Sequence, residues 1–187
     1  MTLKDEDGRE TTVVSYCGAL PAPDVSTDAR DSNHRPPAPP PDSWAADDAN
    51  KVTIWTIEMA PGAAWTLPAT DPKCNRKLFF FRGSNVEVGG QAVPGTSGMT
   101  LRPDTNVELR NGEETAEFLL LEGIPIGEPV AQYGPFVMNS EAEIRQAFAD
   151  YQKTQFGGWP WPSDDPTHSR DTDRFARHAD GRVEEGG

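Results

Sequence analysis

Positive charge is in short supply. Only 17 Lys and Arg stand against 30 Asp and Glu in 187 residues, a formal net charge of −13. A chain this acidic is repelled by phosphate backbones, and no Lys/Arg run offsets that, so we expect no direct nucleic-acid binding and no anionic-membrane binding. Cysteine is scarcer still. Cys17 and Cys74 form no CxxC arrangement; one disulfide is possible in principle, and two reduced cytosolic thiols are the expected state. No apolar run approaches membrane-spanning length. The N-terminus MTLKDEDGRE has no apolar core of a signal peptide, so the expected compartment is the cytoplasm. The sequence has no GxSxG elbow and no solenoid-length repeat, and GSNVEVGG lacks the lysine of a phosphate loop. Histidine is limited to His34, His168 and His178.

What is abundant is short β-like sequence. Thr11–Tyr16 reads as a first strand, followed by Val52–Met59, Ala64–Leu67, Leu78–Arg82, Asn85–Val88, Met99–Leu101, Val107–Arg110 and Ala116–Glu122. Gly89-Gly90 and Asn111-Gly112 read as hairpin turns, because glycine takes positive φ without a Cβ clash. Short strands at regular spacing with no helix between them predict an all-β antiparallel sandwich or barrel. One helix follows. In SEAEIRQAFADYQKT, Ser140 is a fitting N-cap with Glu143 completing a capping box. Ile144, Ala147, Phe148 and Tyr151 make a stripe at 3.6-residue spacing, and Gly157 supplies a left-handed stop. The stripe needs a surface to lie on, so the helix is expected to lid or buttress the barrel.

Between first strand and barrel lies a Pro/Asp/Ser-rich stretch with RPPAPPPD. It reads as a semi-rigid polyproline connector, with a docking peptide for an SH3 or WW domain as the sharper alternative. The tail holds WPWP and then a charged end. Trp159 and Trp161 either staple the tail onto the barrel or contact a second protein. The expected organisation is residues 1–20 as an N-terminal strand and inter-barrel segment, 21–50 as the connector, 51–138 as the barrel, 139–157 as the helix, and 158–187 as the tail, disordered beyond Arg182.

The run EPVAQYGPFVMNSEAEIRQAFADYQ resembles the C-terminal end of pirin family proteins, and PAPPPDSWAADDANKVTIWTIEMAPGAAWTLPA resembles the start of that family's C-terminal cupin domain. The similarity runs from about Gly8 to about Gly181. It implies a single jelly-roll-like cupin barrel with one C-terminal helix and an extended tail. Pirins carry two such barrels, and the resemblance places the metal-binding histidines and glutamate, with Fe or another divalent metal, in the N-terminal one. We expect this chain to be the second barrel, without the first.

A metal-binding cupin needs imidazoles and a carboxylate converging inside the barrel. The positions after Gly62 that would hold His-x-His, around Trp65 to Pro68, are apolar or hydroxyl, and GTSGMTLRPDTNVEL has no histidine. His34 lies in the connector; His168 and His178 lie in the tail beside Asp164, Asp165, Asp171 and Asp173, at a spacing that matches no metal loop. We therefore expect no catalytic set, no metal ligands and no cofactor in this chain. Cys74, near Lys73, Arg76 and Lys77, has no neighbouring histidine base and reads as an ordinary thiol. Glu58, Glu87, Glu108 and Glu117 read as the solvated face of alternating strands. Trp65, Leu67, Phe79 and Phe81 are candidates for the interior, either as packed core or as the lining of a pocket where a metal would otherwise sit.

Two functions follow as expectations. One is a non-catalytic binding or assembly module that self-associates or joins a separate cupin protein. The other is half of a split pirin, whose metal-bearing partner supplies quercetin 2,3-dioxygenase-like ring cleavage with O₂.

Overall fold

The computed structural model describes residues 1–20, 36–163 and 167–185. The chain divides into two compact units, Met1–Ile126 and Gly127–Gly187. The first unit contains β1 (Thr2–Lys4), β2 (Glu10–Cys17), β3 (Thr53–Met59), β4 (Ala64–Leu67), β5 (Asn75–Arg82), β6 (Asn85–Val88), β7 (Gln91–Pro94), β8 (Ser97–Thr100), β9 (Val107–Asn111) and β10 (Ala116–Gly123). They form a six-stranded sheet in the order β1-β2-β3-β10-β5-β8 and a four-stranded sheet in the order β4-β9-β6-β7. All pairings are antiparallel. Among the described residues no strand of one sheet pairs with a strand of the other, so the shell is two facing layers with open sides.

Alternation decides which side chains meet between the layers, because successive residues of a strand point to opposite faces. Thr53, Trp55, Ile57 and Met59 are the buried positions of β3; Arg76, Leu78 and Phe80 are those of β5. Register aligns them with β10 in rows: Ile57–Phe118–Phe80, then Trp55–Leu120–Leu78, then Thr53–Glu122–Arg76. Leu67, Val86, Val88, Val107 and Leu109 of the other sheet join the same buried cluster. Each fully buried aliphatic or phenyl group contributes roughly 1.5–3 kcal/mol. The Phe80 and Phe118 rings sit 5.2 Å apart at its centre.

Asn111-Gly112 is not the hairpin turn that its sequence suggests. β9 belongs to the four-stranded sheet and β10 to the six-stranded one, so the dipeptide carries the chain between layers. The Asn111 amide reaches the carbonyls of Met59, Ala60 and Glu114 at 2.7–2.9 Å. The Gly112 amide donates to the Asn85 carbonyl, and a Cβ there would meet that oxygen at 2.5 Å. Side-chain bonding to three backbone carbonyls, together with a close backbone approach, overrides the local turn preference. Gly89-Gly90 does close a hairpin, β6–β7, with both glycines at positive φ.

In the second unit, the hairpin of β11 (Ala131–Tyr133) and β12 (Phe136–Met138) leads into α1 (Glu141–Thr154). Ser140 caps α1 as its sequence implies, accepting from the Glu143 amide; its hydroxyl also donates to the Glu143 carboxylate at 2.8 Å. The helix stops at Gln155 rather than Gly157. Gln155 and Phe156 already adopt left-handed φ, at 48° and 50°. The stripe lies on its own hairpin: Phe148 meets Tyr133 and Phe136 edge-on, and Phe136 also meets Tyr151 and Phe156. A second hairpin, β13 (Phe175–Arg177) with β14 (Val183–Glu185), occupies part of the tail expected to be disordered beyond Arg182. Its turn is closed by His178 and Arg182 backbone bonding, and both side chains approach Glu184. Among the described residues no helix is long and apolar enough to cross a membrane.

Candidate functional site

Of the four residues named for the interior, Leu67 is fully buried in the core cluster and Trp65 is half-buried at its edge. Phe79 and Phe81 correct the sequence reading. In β5 the inward parity belongs to Arg76, Leu78 and Phe80, which turns Phe79 and Phe81 to the outer face and leaves Phe81 46% exposed. On that face Val14, Tyr16, Ile54 and Leu121 are exposed as well. The register places Val14, Thr56, Leu119 and Phe79 in one row and Ile54, Leu121 and Lys77 in the next. The outer side of the six-stranded sheet thus carries an apolar patch, bordered by Lys77 on one side and by the Thr12–Glu58–Glu117–Arg82 row on the other.

Trp159 and Trp161 contact each other, with ring centroids 4.6 Å apart, and the Trp159 indole donates to the Ser163 carbonyl at 2.7 Å. Trp159 is half exposed. His168 lies beside Phe175, and His178 stands 3.3 Å from Glu184, both in the second unit. His34, Asp164 and Asp165 lie outside the described residues, as does most of the proline-rich stretch before Pro36.

Two cavities open in the first unit. One, of about 1020 Å³, is lined by Trp65 and by charged residues, among which Arg9 pairs with Asp7 at 2.8 Å and Arg110 with Glu108 at 2.6 Å. The other, of about 790 Å³, lies where the inward rows run out; of the Trp65–Pro68 positions that would carry a histidine pair, Pro68 alone lines it. Its walls are Trp55, Thr53, Pro68, Ala69, Thr70 and the connector residues Pro36, Pro37 and Pro39, and its deep end is Arg76 with Glu122. Arg76 is 2% exposed. Its Nε stands 3.0 Å from Glu122 Oε2, its Nη2 donates to the Pro68 carbonyl at 2.6 Å, and its Nη1 reaches the Thr105 carbonyl at 3.4 Å. Arg76 Nε and Glu122 Oε2, both closed off from solvent, hold each other as a buried ion pair. The Trp55 indole N–H, also buried, has no acceptor among the described residues.

Burial sets the electrostatics of this end. Removal from water pushes the Glu122 carboxyl above its ordinary value, although a Thr70 hydrogen bond and the Arg76 charge pull the other way. The same desolvation lowers Arg76, opposed chiefly by the Glu122 charge. Cys74 is raised, first by burial, against a Thr70 hydrogen bond, which suits an inert thiol. Among the described residues no three His, Cys, Asp or Glu side chains gather as a metal-binding group. Sequence reading missed Arg76 and Glu122. The signal that could have found them is parity: Arg76 is in phase with Leu78 and Phe80, and Glu122 with Phe118 and Leu120.

Against known proteins, the Pirin C-terminal cupin domain matches residues 54–157. A Vibrio cholerae protein provisionally named a quercetin 2,3-dioxygenase is 46% identical over 105 residues, covering 56% of this chain and 36% of that protein. Pirin-1 of Arabidopsis thaliana is 56% identical over 48 residues, 26% of this chain and 17% of its own length. The solved structure of a quercetin 2,3-dioxygenase from Acinetobacter baumannii superposes with a TM-score of 0.55 at 26% identity, covering 83% of this chain and 46% of that one. The chain therefore spans about a third or less of these curated relatives and under half of the solved structure.

Proposed function

Because this chain belongs to the pirin family through its C-terminal cupin domain, we propose that it is a non-catalytic binding and assembly module, whose partner is a metal-bearing cupin domain. The observation that carries this is the filling of the inward positions. Rows of Ile57, Phe118 and Phe80, then Trp55, Leu120 and Leu78, occupy the space between the sheets, and the row beyond them ends in an Arg76–Glu122 pair. The iron or other divalent ion of the family does not fit this donor set. A buried guanidinium repels a cation, and the single carboxylate beside it is already engaged. No step of a ring-cleaving reaction is derived through these residues.

The outer face of the six-stranded sheet supplies the assembly surface. Val14, Tyr16, Ile54, Leu121 and Phe81 are all exposed there, and apolar fields of this kind mark interaction sites. A cupin domain is the occupant we assign, since the matched quercetin 2,3-dioxygenase chain carries more than as much polypeptide again. Under this reading, quercetin 2,3-dioxygenase-like activity arises only when the two domains are together.

The test is flavonol turnover. The purified chain, supplied in turn with Fe, Mn and Ni, is expected to be inactive, and a mixture with a metal-bearing pirin-type cupin domain is expected to form a complex by sedimentation and to turn flavonol over. Turnover by the isolated chain refutes the non-catalytic assignment. A chain that stays monomeric at high concentration and ignores the cupin domain refutes the assembly role; pairing with a second copy of itself replaces the assigned partner.

A further inference from the structure

The apolar patch on the outer side of the six-stranded sheet carries two further features. The first is a β-bulge. Arg82 stands opposite Glu117 and Phe80 opposite Phe118, which leaves Phe81 as an extra residue in β5. Strict alternation would turn Arg82 inward after Phe81. The bulge keeps Arg82 outside, where it reaches Glu117 at 2.6 Å, and leaves Phe81 46% exposed beside it. Bulges re-aim side chains in this way at functional positions. The second feature is the placing of charge. Glu58 stands directly opposite Glu117, a like-charge pair that costs stability. Arg82 takes up Glu117, so Glu58 keeps no cation, and Lys77 has no anion: among the described residues neither forms an ion pair. Leu119 lies between them, with Glu58 on β3 in the row to one side and Lys77 on β5 in the row to the other.

Resting on the assembly reading, we infer that the metal-bearing cupin domain docks on this face in a single orientation, with an apolar pocket receiving Phe81, a carboxylate over Lys77 and a basic side chain over Glu58. Phe81 supplies the anchor. It is a rigid aromatic ring held out from the sheet, the kind of group that interfaces bury at their centres. The diagonal charges supply the orientation. An apolar patch alone accepts a partner in several orientations. Turning the partner halfway round on this face exchanges the two corners, bringing its carboxylate onto Glu58 and its cation onto Lys77. Like charges pressed together across an interface are strongly disfavoured, so the reversed complex is rejected.

The experiment measures the Kd of the full chain for a metal-bearing pirin-type cupin domain by sedimentation, over a salt series. Phe81→Ala is expected to weaken binding about thirtyfold or more while the variant unfolds at the parent's temperature, because the ring is exposed. Lys77→Glu and Glu58→Lys are each expected to weaken binding about tenfold at low salt, and that gap is expected to close as salt rises, which a packing role alone would not produce. Glu87→Lys, the same charge change on the four-stranded sheet, is expected to leave Kd unchanged. If Phe81→Ala fails to fold, the two charge variants decide. Phe81→Ala binding as tightly as the parent, or charge reversals that shift Kd no more than Glu87→Lys does, overturns the inference and leaves the assembly reading standing. A native chain that does not bind the cupin domain overturns both.

Discussion

The first unit draws its side chains together from far apart in sequence: Trp55 faces Leu120, and Ser15 faces Trp55. Phe118, Leu120 and Leu78 are wholly removed from water there. The second unit works at short range. Tyr133, Phe136, Phe148, Tyr151 and Phe156 meet edge to edge within one hairpin and the helix that follows it, and of α1 only Ile144 and Ala147 are buried. Area removed from water carries stability, whereas half-exposed aromatic edges add about 0.5–1.5 kcal/mol per pair. The difference teaches that the sheets hold the free energy of this chain, while the hairpin and helix hold mainly a shape.

Substitutions in each region can break or sharpen this contrast. Phe118→Ala opens a cavity at the centre of the rows and is expected to cost about 3–5 kcal/mol in denaturant unfolding; a loss under about 1 kcal/mol would erase the contrast. Arg76→Met leaves Glu122 buried without its cation and is expected to cost about 3 kcal/mol at neutral pH, while Arg76→Met with Glu122→Leu returns close to the parent. The pH course follows from the raised Glu122 carboxyl. A carboxyl raised on folding contributes stability in full below its ordinary value of 4.5, and that contribution is lost as pH rises through the folded value. The Arg76→Met deficit, measured against the parent at each pH, is therefore expected to narrow as pH falls toward 4.5; a deficit independent of pH would remove Glu122 as its cause. Phe136→Ala, which severs edge contacts with Phe148, Tyr151 and Phe156, is expected to cost about 2 kcal/mol or less and to show as lost helical ellipticity. A larger loss than that of Phe118→Ala would reverse the ranking.

Much of this architecture was legible because alternation and spacing are local facts. β4 and β6 appear within the bounds that their residues imply, and Ser140 caps α1 as expected. The failures are non-local. Nothing in Asn111-Gly112 itself reveals that the following strand crosses to the other sheet, because that depends on Met59, Ala60 and Asn85 being close by. Hydrophobicity alone makes Phe79 and Phe81 candidates for the interior, yet the aromatic between them, Phe80, takes the inward parity and leaves both outside. The polar end of the cavity was hidden for the converse reason. Arg76 and Glu122 are residue types expected in solvent, and only register brings them opposite each other. The helix stripe was visible, but its surface turned out to be the adjacent hairpin.

Asn-Gly is also the dipeptide most prone to spontaneous deamidation, in which the glycine nitrogen attacks the asparagine side-chain carbonyl, ammonia leaves, and water then opens the resulting succinimide to an acid. In the folded chain the Gly112 nitrogen is held by Asn85 and the Asn111 amide by three carbonyls, and both bonds must give way before the ring can close. Any molecule that ages while unfolded would carry a carboxylate facing those same carbonyls, and a stored preparation would record its past unfolding as chemical damage at one corner.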